Sequence, residues 1–220
     1  MRHMTGASST TPLRERTRRA VRAELIDAAQ DLFVAQGYER TTVEQIASAA
    51  GMSRRSFFRY FASKDDLVLG KYDAMSDQFV EALRARPAHE PLWESLRRVF
   101  DGVVDYVADP GRADRAAAME AVVQADDALR AAYLQRLDAM QKAVVLTARE
   151  RARAAGRAWE DADPAPDAAV GAAFACMRSA HDLAASSGRE FADLLDATFR
   201  RLADVVSEPA GVPTDARGRS

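Results

Sequence analysis

Residues 46–66, IASAAGMSRRSFFRYFASKDD, constrain this chain more than any other stretch, because they set two short helical segments on either side of a glycine turn. Val43, Ile46, Ala47 and Ala50 recur at helical spacing up to Gly51, and Thr41 and Thr42 precede Glu44 and Gln45 in capping-box order. Ser53 can cap the next segment, Arg54 to Phe61, about two turns long. At roughly 100° per residue, Phe57 and Phe61 share an inner face. Arg55, Ser56, Arg59 and Tyr60 then point outward, with Arg54 and Phe58 on the flanks. The inner pair serves packing. The outer face suits phosphates and base edges, since arginine can pair with both major-groove acceptors of guanine. Two short helices joined by Gly-Met-Ser have the form of a helix-turn-helix. Glycine-turned helix hairpins also occur in all-α proteins that never meet DNA, and arginines can be a solvated face, so the residues alone leave both readings open.

The rest of the chain reads as helix. Val21, Leu25, Ala28, Ala29, Leu32 and Phe33 give one from Arg14 to Gln36, stopped by Gly37. Ser63, with Asp65 and Asp66 in the first turn, starts another that runs through Leu67, Tyr72, Phe79 and Leu83 towards Arg86, where Pro87 stops it. Five more are predicted at about 91–108, 112–125, 127–155, 166–186 and 189–206, separated by DPG, AAG with DADPAP, and SSG. The expected fold class is all-α with about nine helices: a helix-turn-helix domain over 14–62, a second helical domain over 63–207, and disordered tails at 1–13 and 208–220. No uncharged apolar run is long enough for a membrane span, no apolar segment follows the basic start, and the lone Cys176 cannot form an internal disulfide. These features point to a cytoplasmic protein. The net charge of −2 hides an asymmetry: residues 1–71 hold 12 Lys/Arg against 8 Asp/Glu, and residues 72–220 hold 19 against 25. The positive end is the candidate for meeting a polyanion.

Residues 14–72 closely resemble the DNA-binding domain of the TetR family of transcriptional regulators. The resemblance is carried by A-x-x-L-F-x-x-x-G-Y, T-T-V-x-x-I-A-x-x-A-G, S-x-x-x-F-F-R-Y-F and S-K-D-D-L. It implies that Thr42, Ser53, Arg59, Tyr60 and Lys64 hold phosphates, and that Arg54, Arg55, Ser56 and Phe58 approach base edges. The family most often has tyrosine where this chain has Phe58, which leaves that side chain apolar contact, for instance to a thymine methyl, or packing. Arg14, Arg16, Arg18 and Arg19 offer a phosphate or minor-groove arm, or simply a solvated helix start. A helix from Ser63 to near Arg86 is long enough to join a reader to a sensor.

The resemblance also implies a second domain that binds a small molecule and dimerises. Candidate ligand contacts are Trp93, Phe100, Met119, Tyr133, Met140 and Phe174, a weakly charged set that suits an apolar or aromatic effector. On the last two helices, Ala169, Ala172, Ala173, Cys176 and Ala180 form a small-residue stripe, and Phe191, Leu194, Leu195, Phe199, Leu202 and Val205 a large one. Together they would form a four-helix interface with a second copy, or close the core within one chain. The expected partners are therefore a double-stranded operator, a small effector and a homodimer mate. No cofactor or metal is expected, because His3, His89 and His181 lack ligand spacing. Asp126–Asp127 reads as a helix cap rather than a catalytic dyad, so the chain is expected not to be an enzyme. The alternative to a DNA-binding repressor is a helical carrier or interaction scaffold.

Overall fold

The computed structural model describes residues 13–157 and 159–207. Both expected tails lie essentially outside that range. Among the described residues every regular element is a helix: α1 (Leu13–Gln36), α2 (Val43–Ala49), α3 (Arg54–Phe57), α4 (Lys64–Arg84), α5 (Leu92–Val99), α6 (Asp101–Val107), α7 (Pro110–Ala125), α8 (Asp127–Ala154), α9 (Ala165–Ser187) and α10 (Phe191–Ser207). Capping chemistry sets many of these boundaries. Thr42, Ser53, Ser63, Asp109 and Asp126 each accept a backbone N–H two or three residues into the helix that follows, satisfying a donor the helix cannot. Gly37 and Gly51, which follow α1 and α2, have φ of 83° and 67°, a region where a side chain would be strained.

Two elements differ from expectation. The helix expected over 91–108 is broken at Phe100, so the described residues form ten helical segments, or nine if α5 and α6 count as one bent helix. The Phe100 ring is fully buried against Phe79, Phe174 and Phe199. Its N–H turns to Arg97 O at 3.3 Å, a tighter step than the α-helical one. The segment expected as helix from Arg54 to Phe61 is regular only to Phe57. It continues as tight turns, with Arg59 N on Ser56 O and Tyr60 N on Phe57 O, and carries Phe61 to the same buried face.

The helices enclose one continuous core that runs from Leu25, Ile46, Phe57 and Phe61 through Leu67 and Phe79 to Phe100, Met119, Met140 and Leu195. Helix α4 is its spine, packing on α1 near the N-terminal helices and on α5 and α8 further along. Helices α9 and α10 pack on each other, and α9 also on α5 and α8.

The stripes on α9 and α10 close this core. Ala173, Cys176 and Ala180 are buried, as are Phe191, Leu194, Leu195 and Phe199. Ala169, Ala172 and Leu202 are half-buried, and the Val205 side chain lies outside the described residues. Of the two outcomes open for these stripes, the buried members favour closing the core within one chain.

Candidate nucleic-acid interface

The basic residues of this region come from α1 and from the segment that follows Ser53, whereas α2 carries none. Ser53 begins α3, its Oγ accepting from Ser56 N at 3.2 Å and lying 3.1 Å from Ser56 Oγ. Phe57 and Phe61 are 0% and 1% exposed, so the segment has no freedom to rotate. The opposite face follows geometrically. Arg55 and Arg59 are exposed, and neither guanidinium makes a hydrogen bond or ion pair among the described residues, that of Arg59 lying 5.8 Å from the Tyr60 ring centre. Arg54 reaches back to Glu44 at 2.7 Å with both groups exposed, a pair worth about 0–1 kcal/mol that a phosphate can displace. Phe58 is 45% exposed, edge-on to Phe57, with the Arg54 guanidinium 5.6 Å from its ring centre. It is therefore a surface residue.

Thr42 caps α2 in a full capping box: its Oγ accepts from Gln45 N at 3.2 Å, and its own N–H donates to Gln45 Oε1 at 2.8 Å. A hydroxyl used as an acceptor keeps its proton to donate, so Thr42 and Ser53 can each cap a helix and still offer an O–H to a phosphate.

Lys64 stands differently from the other phosphate candidates. Its ammonium donates to Tyr38 O at 2.8 Å and Thr41 O at 3.0 Å and lies 3.8 Å from the Tyr38 ring centre. Two of its three N–H groups thus hold the α1–α2 connection onto the start of α4. The Tyr38 hydroxyl donates to Asp65 in the same place, and burial together with that carboxylate pushes its ionisation up.

Part of the basic lead-in joins the reader. Arg14 and Arg18, with Leu13 and Thr17, form one wall of an open trough of about 420 Å³ whose other wall is Arg59 and Tyr60. Arg19 turns aside to Glu15 and Asp77, at 3.6 and 3.5 Å.

Three residues that hold the reader were not singled out in the sequence. Arg22 on α1 donates to Tyr60 O at 2.6 Å, lies 4.2 Å from the Phe61 ring centre, and pairs with Asp73 at 3.6 Å. Arg136 on α8 pairs with the same Asp73 and, at 3.6 Å, with Asp66, whose other oxygen accepts the Ala62 N–H. These contacts link α8 through α4 to both ends of the Tyr60–Ala62 turn. Gly70 allows the close approach of α4 to Phe61, and a lone glycine inside an otherwise strong helix pattern was the one signal that could have drawn attention to it.

The six ligand candidates are core side chains. Phe100 and Phe174 meet at 5.4 Å, within the aromatic cluster that includes Phe79 and Phe199. Trp93, half-buried, packs on Phe199 at 4.6 Å, and Tyr133 packs on Tyr72 at the same distance. Met119 and Met140 are 0% and 1% exposed. The trough by α1 and a second cleft beside Trp159 are lined by none of the six.

Residues 25–70 match the family model for bacterial regulatory proteins of the tetR family. The HTH-type transcriptional regulator TcmR of Streptomyces glaucescens is 39% identical over 157 residues, covering 66% of this chain and 69% of TcmR, so the likeness extends well past the reader. The chain belongs to the TetR family of transcriptional regulators. The HTH-type transcriptional repressor LfrR of Mycolicibacterium smegmatis is 34% identical over 103 residues, 46% of this chain and 51% of LfrR. Among solved structures, Thermus thermophilus FadR, a TetR-family transcriptional repressor in complex with lauroyl-CoA, aligns with a TM-score of 0.55 at 22% identity. That alignment covers 90% of this chain and all of FadR, and it supports the fold of a TetR-family regulator over nearly the whole length. No helix among the described residues is long and apolar enough to cross a membrane.

Proposed function

We propose that this TetR-family regulator is a homodimeric repressor that grips a near-palindromic operator with residues 42–64 and lets go when a small apolar or aromatic molecule enters its helical body. In this reading residues 14–62 are the reader and 63–207 the sensor. The observation that carries it is the outer face of the Arg54–Phe61 segment: Arg55 and Arg59 are exposed and form no ion pair among the described residues, while Phe57 and Phe61 lock the segment from behind. Arg55 takes the base-edge role, together with Arg54, Ser56 and Phe58. Thr42, Ser53, Arg59, Tyr60 and the trough arginines Arg14 and Arg18 track phosphates. Lys64 acts first by positioning the α1–α2 connection, with one N–H left for the backbone.

The experiment is a fluorescence-anisotropy titration on DNA from beside the protein's own gene. Arg55→Ala is expected to cost about 1–3 kcal/mol on the operator and to relax base preference, whereas Lys64→Ala should weaken binding to every sequence alike. Unchanged affinity in both variants would leave a helical carrier or scaffold as the better reading.

The effector would lodge where Phe79, Phe100, Phe174 and Phe199 now meet, with Trp93, Met119, Tyr133 and Met140 around them. These side chains are close-packed, so a ligand must hold the helices in a different setting from the one described. Its differential affinity for the two settings would be the driving force. Arg136 and Asp73 supply a direct line from α8 to the recognition turn. Arg136→Ala is expected to keep operator binding but to blunt release by an effector found through screening on wild-type protein, read as the shift in operator affinity at saturating effector. An undiminished shift would remove Arg136 from the coupling.

For the dimer, the open side of α9 carries Ala168, Ala175, Ser179 and the 47%-exposed Leu183, spaced by seven, four and four residues along one face. This face, not the buried stripes, is the surface proposed to meet the second copy.

A further inference from the structure

We propose that the cleft between the end of α8, the α4–α5 connection and Trp159 is a binding site for a small carboxylate carried on a single apolar ring, separate from both the DNA face and the aromatic core. The cleft holds about 210 Å³, whereas sites for drug-sized ligands run from about 300 to 1,000 Å³, so it takes one ring and little more. Leu92, Ala148 and Ala152 make its apolar walls, with the Trp159 indole beside them.

Its polar lining is two guanidiniums and one carboxylate, and the carboxylate is already spoken for. Glu90 accepts from Arg86 Nε at 2.8 Å and Nη2 at 2.5 Å, and from Ser95 Oγ at 2.6 Å. Those bonds, from Arg86 first and then Ser95, hold its pKa down to about 2 and so keep it ionised. Its charge is thereby answered within the chain.

Arg151 and Arg157 are not so answered. Arg151 Nη2 donates to Pro87 O and, at 3.3 Å, to Glu90 O, which fixes the guanidinium in place. Its Nε is buried and has no hydrogen-bond partner among the described residues. A buried N–H left without an acceptor is destabilising, so a ligand oxygen that reaches it as Arg151 adjusts is favoured. Arg157 donates one N–H to Ala88 O and is otherwise exposed. Burial chiefly, and the charges of Arg157 and Arg86 in addition, make Arg151 less willing to stay protonated, partly offset by Glu90. An anion between the two guanidiniums would relieve that crowding. A planar oxyanion fits a guanidinium, and the apolar walls then demand an apolar body behind it.

The test uses the full chain carrying Trp93→Phe, so that Trp159 is its sole tryptophan. The probe is benzoate, with benzamide as the uncharged isostere and inorganic phosphate as the ringless anion. Benzoate is expected to change Trp159 emission saturably and to raise the melting temperature, with benzamide and phosphate each binding at least about tenfold more weakly. Arg157→Ala, at an exposed position, should fold normally and weaken benzoate about tenfold. Arg151→Lys keeps the charge but removes the orphaned N–H and should do the same. The proposal is overturned if benzoate gives no saturable change at millimolar concentration, if benzamide or phosphate binds as tightly, or if both variants keep wild-type affinity.

Discussion

Leu195→Glu is expected to unfold the chain, and Leu183→Glu only to separate the proposed dimer. Both leucines lie on the last two helices, but Leu195 is fully buried in the shared core whereas Leu183 is 47% exposed on the open side of α9. A glutamate at 195 would lose the leucine's packing, roughly 2–5 kcal/mol, and leave a charge without a partner in an apolar interior, about 3–5 kcal/mol more. Against a typical total of about 5–15 kcal/mol, little or nothing remains. The measurement is a thermal melt by circular dichroism, in which Leu195→Glu should drop the midpoint by at least about 10 °C or abolish the transition. Leu183→Glu should melt near wild type yet run as a monomer in light scattering at micromolar concentration. A folded Leu195→Glu monomer would restore the buried stripes as the interface, and a Leu183→Glu dimer would move the interface off this face of α9.

Gly70→Ala is expected to cripple operator binding while leaving most of the fold intact. An added Cβ at residue 70 would stand 2.6 Å from Phe61 Cε1 and 3.1 Å from Arg22 Nη2. The ring cannot simply yield, because the Arg22 guanidinium lies against it and Phe61 is 1% exposed. Overpacking of this kind costs about 1–3 kcal/mol, partly offset by about 1 kcal/mol of helix propensity gained when alanine replaces glycine. The net loss of stability is therefore small. Phe61, however, ends the recognition segment, so moving its ring tilts the face that carries Arg55 and Arg59. A tilt that removes one good arginine contact, about 1.4 kcal/mol or more, lowers affinity tenfold or beyond. Anisotropy on the operator and a parallel melt read the two effects separately. Wild-type operator affinity in Gly70→Ala would show that the α4–Phe61 contact does not set the reader's pose.

The caps and the inward phenylalanines could be read from the chain because their causes are local. Thr42, Ser53, Ser63 and Asp126 each satisfy an N–H three residues on, an interaction whose partners are visible in a short window of sequence. Phe57 and Phe61 share a face through local turn geometry alone, which is why their burial held even though α3 gave way to tight turns after Phe57. The candidate base-reading face followed from that same local geometry.

Packing between distant elements decided the rest. An apolar stripe records that a helix must bury a side, but not whether its cover comes from the same chain or from another copy, and the α9 and α10 stripes turned out to be covered from within. A lysine in a phosphate-like position does not reveal that carbonyls 26 and 23 residues earlier will take two of its protons. Nothing in the local sequence marks Arg22 and Arg136 as partners of one carboxylate, and only the packing of α4 brings Asp73 between them. The break at Phe100 exists because three rings from α4, α9 and α10 converge on its own. Local hydrogen bonding thus wrote the helices into the sequence, while the partners of each exposed-looking charge and each apolar stripe were settled only when side chains from separate helices competed for the same space.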